Sequence, residues 1–484
     1  MYQPSLEKVK EIAATGKYDV VPMSTELNAD CLTPIQVIKL LKSVDNHCYM
    51  LESVEKSEQW GRYTFMGFDP IMELTCMNGT ISGIETNDDP ETCIRKLMRQ
   101  YRSPVFDYLP EFTGGLVGYF SYDYIKYSEP CLKLDAKDQE HFKDMDLMLF
   151  DKVIVFDHVR QTMILIVNIK LEDIQNQYMH GIEQLNSMSK LLKSTIPTEY
   201  EKGTITSDIR SLFDKTQYCD MVEKAKQYIR EGDIFQVVLS NRFEADFEGS
   251  LLDVYRTLRV SNPSPYMFYF SGCDVEFAGA SPETLVKLEH STLHTFPLAG
   301  TRPRGKSPEE DKRLERELLA DEKELSEHHM LVDLGRNDLG KISQFGTVKV
   351  EKYLNIERFS HVMHIGSTVT GQIRQDKDGL DAISAVLPAG TLSGAPKIRA
   401  CEIINELENN KRGLYGGAIG YLSFTGNLDT CIAIRLAFKK NGKVFVRSGA
   451  GIVADSIPEK EYEECLHKAQ AVLNALEESK GGVE

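Results

Sequence analysis

Several features that define other protein classes are missing from this sequence. Its ten cysteines are scattered, and even neighbours such as Cys31 and Cys48 lie 17 residues apart. The chain therefore has neither a CxxC zinc or redox motif nor a compact disulfide framework. No run of about 18 apolar residues occurs, and residues 1–22 contain no apolar signal core. These absences predict a protein of the reducing cytoplasm.

An excess of basic residues is missing as well. The formal net charge is −17, which argues against nucleic acid and against an anionic membrane surface as partners. A small anionic substrate stays compatible with this charge, because a few arginines and a divalent metal ion can reverse the potential locally. With 42% hydrophobic and 27% charged residues over 484 positions, the chain has room for about three domains, for two large ones or for a single fused α/β body.

The first half of the chain alternates short helical segments with strands. Thr33 and Pro34 predict the start of a helix, and another helix is expected from about residue 171 to residue 192. The strands are rich in β-branched and aromatic residues, which favours an antiparallel or mixed sheet. They are Cys48–Ser53, Tyr63–Phe68, Gly115–Phe120, Leu147–Phe156 and Thr162–Ile169. The Thr, Ser, Pro and Gly content of residues 194–207 then predicts a linker between a domain of residues 1–195 and one of residues 208–484.

The second half opens with a predicted helix over residues 216–231, which Gly232 should stop. The apolar strand that follows, Ile234–Ser240, carries Gln236, and this side chain is either a satisfied core amide or a ligand contact. Further along, Glu283 comes just after a small-residue bend at the end of a strand.

The stretch Phe296–Leu339 concentrates glycine, arginine and acidic residues. Gly300–Gly305 reads as a turn that can aim backbone N–H groups, a hydroxyl and a guanidinium at an anion. Ser307 is a predicted helix N-cap, followed by proline at the first helical position. The acidic face that follows is typical of a solvated helix, but Glu327 stands directly before an apolar run. We therefore expect Glu327 to be partly buried, where a carboxylate needs a cation or hydrogen bonds.

Two later stretches combine glycines with hydroxyl groups. Gly390–Lys397 leads into a helix and suits an anion, although it lacks the ending of a Walker loop. Lys443–Gly451 resembles half of a dinucleotide fingerprint, but the chain should continue extended until a predicted capping box at Ser456–Glu459. His361 and His364 stand three residues apart, a spacing that alone indicates neither a metal site nor a base.

The last helix repeats the acidic theme of the central stretch. Glu461, Glu464 and Lys468 fall on one face, and a Glu464–Lys468 surface pair is the simplest interpretation. Two carboxylates from two helices, with room for water and an anionic substrate, are also what Mg²⁺ accepts.

Taken together, these motifs resemble the chorismate-utilising enzyme family. The resemblance covers residues 216–476 in order, and in the first half it depends mainly on Leu51–Ser53 and Gly114–Tyr119. It implies an α/β (α+β) fold in which two antiparallel β-sheets pack as a sandwich with helices outside. The motifs that carry it are Phe296–Gly305, Ser326–Leu339, Gly390–Lys397, Arg447–Ser456 and Glu461–Ala469.

The resemblance also implies roles for individual residues. Glu327 and Glu464 would bind Mg²⁺, which holds the ring carboxylate of chorismate. Glu283 matches the general acid and must then stay protonated near neutrality, and His364 would accept a proton in the elimination step. Lys468 would assist through water. The other implied substrate contacts are Gly300, Thr301, Thr391, Tyr415, Arg435, Gly449, Ala450 and Gly451.

Two positions select among the reactions of this family. Members that add water carry a lysine where this sequence has Gln236, and members that make aminodeoxychorismate often carry a lysine where it has Ala299. Both differences favour direct addition of ammonia to chorismate and release of pyruvate, giving anthranilate, the first step of tryptophan biosynthesis. The alternatives are aminodeoxychorismate synthesis in the folate branch and a non-catalytic ligand-sensing protein of the same fold.

The resemblance finally implies partners. No cysteine has the Gly-x-Cys-x-Gly context of a glutamine amidotransferase nucleophile, so a separate amidotransferase subunit would supply ammonia, in a heterotetramer of two large and two small subunits. Tryptophan would inhibit from a site that gives residues 1–195 a regulatory role, beside a chorismate-binding catalytic domain of residues 208–484. The residues that match this site are Glu52, Ser53, Pro265, Tyr266 and Met267.

Overall fold

The structure is a computed structural model that describes residues 2–53, 61–194, 200–358 and 362–480. Within them the chain forms two antiparallel sheets with helices on their outer faces, and this confirms the predicted fold class. His361 and residues 195–199 of the predicted linker lie outside the described residues.

Twelve α-helices and two 3₁₀ turns, Tyr122–Tyr124 and Gly390–Leu392, occur in the described part of the chain. The helices are, in chain order, α1 Leu6–Ala14, α2 Pro34–Val44, α3 Pro90–Met98, α4 Ile125–Ser128, α5 Ile174–Leu192, α6 Lys215–Glu231, α7 Leu252–Ser261, α8 Pro308–Leu319, α9 Glu322–Gly340, α10 Gly379–Val386, α11 Lys397–Glu408 and α12 Pro458–Glu478.

The strands of the first half are β1 Val20–Asn28, β2 Cys48–Glu52, β3 Tyr63–Phe68, β4 Met72–Met77, β5 Thr80–Ser82, β6 Gly115–Phe120, β7 Met145–Phe150, β8 Lys152–Asp157 and β9 Thr162–Lys170. Those of the second half are β10 Thr204–Ile205, β11 Arg210–Ser211, β12 Gln236–Glu248, β13 Tyr266–Ser271, β14 Glu276–Ser281, β15 Thr284–Glu289, β16 Thr292–Thr295, β17 Leu298–Pro303, β18 Lys349–Arg358, β19 Val362–Gln372, β20 Gly394–Ala395, β21 Ala418–Ser423, β22 Leu428–Ile432, β23 Leu436–Lys440 and β24 Lys443–Ile452.

Each sheet draws strands from both halves of the sequence. The larger, 13-stranded sheet runs β1-β9-β8-β3-β2-β13-β14-β23-β24-β12-β10, with β11 and β20 also paired to β12. The smaller, 11-stranded sheet runs β17-β19-β16-β15-β22-β21-β6-β7-β4-β5, with β18 paired to β19. The two halves therefore share one hydrogen-bonded framework, in which even the predicted linker contributes β10. The division into a regulatory and a catalytic domain stays a prediction.

An aromatic layer joins the inner faces of the two sheets. Tyr49 of the larger sheet meets Phe150 of the smaller one with ring centroids 4.7 Å apart, in an edge-to-face arrangement. Tyr119 and Phe277 repeat this contact at 5.9 Å. Aromatic side chains bury large apolar areas and favour this geometry, so the layer fixes the stacking of the sheets.

The outer face of each sheet is covered by helices. Helices α1, α2, α5, α7 and α12 pack on the larger sheet, and α3, α9 and α10 pack on the smaller one. A further cluster places α6 and α11 over β12 and β24. The apolar stripe of each helix is thereby buried on one side, as amphipathic helices require.

Several local predictions agree with the structure. Thr33 accepts a hydrogen bond from Gln36 N and begins α2 at Pro34. Gly232 ends α6 in the left-handed conformation, with φ of 86°. Ser307 caps α8, and Pro308 is its first residue.

Four local predictions were wrong. The strand predicted over residues 147–156 is two strands, because β7 belongs to the smaller sheet and β8 to the larger one, with Asp151 between them. The turn predicted at residues 300–305 is largely strand β17, whose pairing with β19 shifts register at Gly300. The helix predicted to begin after Ser307 and to reach Glu327 is two helices, α8 and α9, separated at Asp321, whose carboxylate caps α9 by accepting from Lys323 N and Glu324 N.

The fourth error concerns the predicted capping box at residues 456–459. Ile457 is the N-cap of α12 and offers no side-chain hydrogen bond. The Ser456 hydroxyl instead accepts from Val453 N at 3.1 Å, so it closes the turn before the helix. A serine hydroxyl can satisfy either kind of N–H group, and the local sequence does not decide between them.

Candidate active site

Glu283 lies between β14 and β15, at the small-residue bend that the sequence indicated. Its carboxylate oxygen Oε1 accepts a hydrogen bond from the Thr391 hydroxyl at 3.2 Å. Burial raises the pKa of Glu283 to about 7, although the Thr391 hydrogen bond and the positive charges of Arg435 and Lys468 oppose the shift. A large share of this carboxyl group is therefore protonated at neutral pH, as a general acid requires.

Of the two positive charges that act on this acid, that of Arg435 has the larger effect. Its backbone is left-handed, with φ of 51°, where β22 gives way to β23. In the part of the chain that the structure describes, its guanidinium makes no hydrogen bond or ion pair, and burial lowers its pKa. Partly buried guanidinium groups need an anionic partner. Arg435 is thus suited to receive the carboxylate of a ligand.

His364 lies on β19, opposite Thr301 of β17. Its Nδ1 is 2.8 Å from the Gly300 carbonyl oxygen and 3.1 Å from the Thr301 hydroxyl. Because a carbonyl oxygen can only accept, Nδ1 carries the proton in the neutral ring and Nε2 is the basic atom. Burial lowers the pKa of His364 and Arg435 acts in the same direction, whereas the bond to Gly300 opposes them. The ring is therefore suited to accept a proton.

The glycines of β24 bring the backbone close to this site. A Cβ atom on Gly449 would lie 2.5 Å from the Leu239 carbonyl oxygen and 3.1 Å from the Tyr415 hydroxyl oxygen. On Gly451 it would lie 2.8 Å from Nε2 of Gln236, a buried side chain. The 2.5 Å distance to a backbone oxygen is shorter than a real side chain allows, so glycine is required at position 449 for close packing, whereas at position 451 the end of the Gln236 side chain would have to move. Ala450, between them, is fully buried on the opposite face.

Lys468 connects these glycines with an acidic cluster. Its Nζ donates to the Gly449 carbonyl oxygen at 3.2 Å and lies 2.7 Å from Glu464 Oε1. The Glu464–Lys468 pair that the spacing indicated is therefore present, and both side chains are about half exposed. An exposed pair of this kind contributes little stability, which leaves Glu464 available to another cation.

Glu327 of α9 lies within electrostatic reach of this pair. It is partly buried, as predicted. Burial is the main cause that raises its pKa, the negative charge of Glu324 adds to the shift, and Glu464 acts in the same direction. Burial likewise raises the pKa of Glu461 of α12, and Glu464 adds to that shift. Carboxylates from two helices are thus crowded together, and a divalent cation would relieve their repulsion.

The structure therefore brings the predicted catalytic, substrate and metal residues to one region through a chain of contacts. Gly300 belongs to it through the bulge of β17, where an added Cβ would lie 3.2 Å from Glu324 Oε2. The two arginines of the predicted anion-binding turn, Arg302 and Arg304, are not directed at an anion site, because both form ion pairs with nearby carboxylates. Arg302 pairs with Asp321 and Glu324, and Arg304 pairs with Asp311.

The sequence analysis missed the charged residues beneath the site. Glu408 is buried between Arg412, at 2.5 Å, and Arg447, at 2.8 Å, and it accepts from Ser240 N. Arg412 also donates to the Leu392 carbonyl oxygen at 2.7 Å, so this group holds the turn that carries Thr391. The one sequence signal was an arginine, Arg447, inside an apolar strand.

The residues proposed for tryptophan lie beside one another. Glu52 at the end of β2 pairs with Met267 of β13, and its carboxylate accepts from Arg259 Nε at 2.6 Å. Ser53 Oγ is buried and has no hydrogen-bond partner among the described residues. The Tyr266 hydroxyl, which follows Pro265, donates to Asp429 at 2.8 Å.

Comparison with known proteins agrees with this geometry. Residues 46–474 match the family described as chorismate binding enzyme. The chain is 45% identical to anthranilate synthase component 1 from Acetivibrio thermocellus, with 99% of each chain covered. This chain belongs to the chorismate-binding enzyme family.

Two further members of the chorismate-binding enzyme family extend the match. Anthranilate synthase component 1 from Aquifex aeolicus is 44% identical, with 98% of this chain and 97% of the relative covered. The crystal structure of anthranilate synthase component I from Streptococcus pneumoniae superposes with a TM-score of 0.78 at 36% identity, covering 92% of this chain and 98% of the other. Among the described residues, no helix combines the length and apolar character needed to span a bilayer.

Proposed function

We propose that this chain is the chorismate-converting component of an anthranilate synthase, which turns chorismate and ammonia into anthranilate, pyruvate and water at the start of tryptophan biosynthesis. The observation that carries the proposal is a protonatable Glu283 within electrostatic reach of Arg435, whose guanidinium has no hydrogen bond or ion pair among the described residues. The relatives named anthranilate synthase component 1 match this chain over almost its whole length, and they support the same reaction.

Binding comes first, because chorismate carries two carboxylates and the protein is acidic. Arg435 would pair with one carboxylate, and backbone N–H groups of Gly449–Gly451 would contribute hydrogen bonds. The hydroxyl groups of Tyr415 and Thr391 border the region in which chorismate would bind. Glu327 and Glu464 would hold Mg²⁺, since their crowded carboxylates supply the oxygen ligands it prefers. When bound, this ion would offset the negative charge of the ring carboxylate.

The chemical steps follow from the two proton-transfer groups. Ammonia forms a bond to ring C2 while the C4–O bond breaks, and Glu283 protonates the departing hydroxyl, which leaves as water. The new C2 ammonium group then loses one proton to become the amine, and this proton restores Glu283. Nε2 of His364 then takes the proton from C2. The C3–O bond breaks, the enolpyruvyl group leaves as pyruvate after protonation, and the ring becomes aromatic. Gln236 has no basic nitrogen, so it cannot activate water as a competing nucleophile.

The product assay tests the reaction directly. The purified chain, incubated with chorismate, an ammonium salt and Mg²⁺, should produce anthranilate fluorescence and pyruvate in equal amounts. Glutamine in place of the ammonium salt should give no product, because we propose that a separate amidotransferase subunit supplies ammonia, in an assembly of two large and two small subunits. Aminodeoxychorismate without pyruvate would contradict the proposed reaction, and so would isochorismate.

The pH dependence tests the role of Glu283. At a fixed concentration of free ammonia, kcat should fall as pH rises through about 7, because the carboxyl group loses the proton that it must donate. Glu283→Gln should lower kcat by about 10²–10⁴-fold and remove this alkaline limb. Glu111→Gln replaces another partly buried carboxyl group, outside the site, and should keep the activity.

The pH dependence of the free energy of unfolding shows whether Glu283→Gln loses activity through catalysis or through misfolding. Since the pKa of Glu283 is higher in the folded chain than in an unfolded one, its contribution to stability is complete at acid pH and is lost as pH rises through about 7. Glu283→Gln, which stays neutral, should therefore be at least as stable as the parent above pH 7. A destabilised Gln variant, or an unchanged alkaline limb, would contradict the assignment.

Thermal unfolding tests the magnesium proposal without an activity readout. Mg²⁺ at 100 times its Kd should stabilise the parent chain by about 2.7 kcal/mol, seen as a rise in Tm. Glu327→Gln and Glu464→Gln should each abolish the rise and the Mg²⁺-dependent turnover. Glu463→Gln changes an exposed neighbour on the same helix and should keep both. A full Tm rise in either site variant would overturn the metal assignment.

We also propose that tryptophan inhibits from a site at the end of β2, where Glu52 and Ser53 adjoin the turn that leads into β13 at Pro265–Met267. The buried Ser53 hydroxyl without a partner among the described residues supports this, because such a group is costly unless a ligand satisfies it. Ser53→Phe should raise the inhibitory tryptophan concentration at least about tenfold, a loss of about 1.4 kcal/mol, and leave uninhibited turnover intact. Ser187→Phe, at an exposed position on α5, is the matched control. Unchanged inhibition in Ser53→Phe would place the effector elsewhere.

A further inference from the structure

A second group of chemically reactive side chains lies where the two sheets meet. His47 precedes β2, Glu73 belongs to β4, and Cys273 lies in the hairpin between β13 and β14. One ligand atom from each of these residues lies within 4.8 Å of the other two. Cys273 is exposed, and the other two side chains are partly exposed, so the group is open to ions from solvent.

The two distances from His47 Nε2 to the other ligand atoms are close to those of a metal centre. His47 Nε2 lies 3.2 Å from Cys273 Sγ and 3.7 Å from Glu73 Oε2. In a tetrahedral zinc site, bonds of about 2.3 Å to sulfur and about 2.0–2.1 Å to nitrogen and oxygen place such atoms roughly 3.3–3.6 Å apart. Both distances from His47 Nε2 are within a few tenths of an ångström of these values, and the three residues would fill three of the four positions and leave the fourth to water.

Asp45 holds His47 in the orientation and tautomer that a metal ligand requires. Its Oδ1 lies 2.8 Å from His47 Nδ1 and also accepts from His47 N at 2.8 Å. A carboxylate at Nδ1 keeps the proton on that atom, so the lone pair of Nε2 points towards Cys273 and Glu73. Metal-binding histidines are commonly oriented by a carboxylate in this way.

The positive charge nearby does not occupy the site. Lys143 Nζ lies 3.9 Å from Oε1 of Glu73, whereas the oxygen nearest His47 is Oε2. The same ammonium group pairs with Asp274 at 2.7 Å and Asp146 at 3.0 Å. Its charge is therefore matched mainly by other carboxylates, and Glu73 Oε2 is the oxygen that faces His47.

We propose that His47, Glu73 and Cys273 form a binding site for Zn²⁺ or a related transition-metal ion, apart from the candidate active site. A mixed nitrogen, sulfur and oxygen ligand set selects such ions over Mg²⁺. Binding would exchange the thiol proton of Cys273 for a metal–sulfur bond and release that proton to solvent. The ion would tie β4 of the smaller sheet to the β13–β14 hairpin of the larger sheet, at the opposite end of β14 from Glu283.

Cobalt provides a spectroscopic test, because a thiolate bound to Co²⁺ gives a charge-transfer band in the near ultraviolet that oxygen ligands do not give. Titration of the full chain with Co²⁺, in excess Mg²⁺ to fill oxygen-rich sites, should saturate this band at one equivalent, and Zn²⁺ should abolish it. Cys273→Ser and His47→Ala should lose the band. Cys31→Ser and Cys131→Ser, which change the other two exposed cysteines, should keep it.

Thermal unfolding of the same proteins supplies the second measurement. Zn²⁺ should raise the Tm of the parent and of the two control variants, but not that of Cys273→Ser. Without metal, Cys273→Ser should unfold at the parent's temperature, since its side chain is exposed. A band that persists in Cys273→Ser, or a parent chain that shows neither band nor Tm rise, would overturn the proposal. Neither result bears on the anthranilate reaction, which is measured with Mg²⁺ alone.

Discussion

Burial of the Glu408 carboxylate between two arginines organises the region on which the candidate active site depends. Arg447 holds Glu408 from β24, Ser240 binds it from β12, and Arg412 extends the contact to the turn that carries Thr391. A buried charge that loses its partner is destabilising by about 3–5 kcal/mol. The network therefore holds together the two strands and the turn in one arrangement, and Thr391 meets Glu283 as a consequence.

The Glu408 carboxylate is fully paired, whereas several charged groups in the candidate active site lack a full set of oppositely charged partners. Arg435 makes no ion pair within the described residues, Glu283 has a pKa near neutrality, and the carboxylates around Glu327 repel one another. Each of these groups carries a free-energy cost in the free protein that a bound anion or cation would remove. A doubly negative substrate together with a divalent ion matches all three at once.

The shared sheets explain why both halves of the chain matter to one site. Strand β2 of the first half pairs with β13 of the second, and β13 leads through β14 to Glu283. A ligand bound where the end of β2 adjoins the start of β13 would therefore contact an element that is continuous with Glu283, the proposed acid. Hydrogen-bonded strands are rigid, and this connection gives the proposed tryptophan site a physical path to the candidate active site.

The sequence by itself determined the features that depend on near neighbours. Caps at Thr33 and Ser307 and the glycine stop at Gly232 follow from bonds within one helical turn, and the family motifs were long enough to indicate the fold and the candidate residues. Only the tertiary structure decided how residues 147–156 divide between two sheets, which hydroxyl or arginine finds a partner, and that His47, Glu73 and Cys273 meet. Strand pairing, burial and charge compensation are set by groups far apart along the chain, and local propensity carries no information about them.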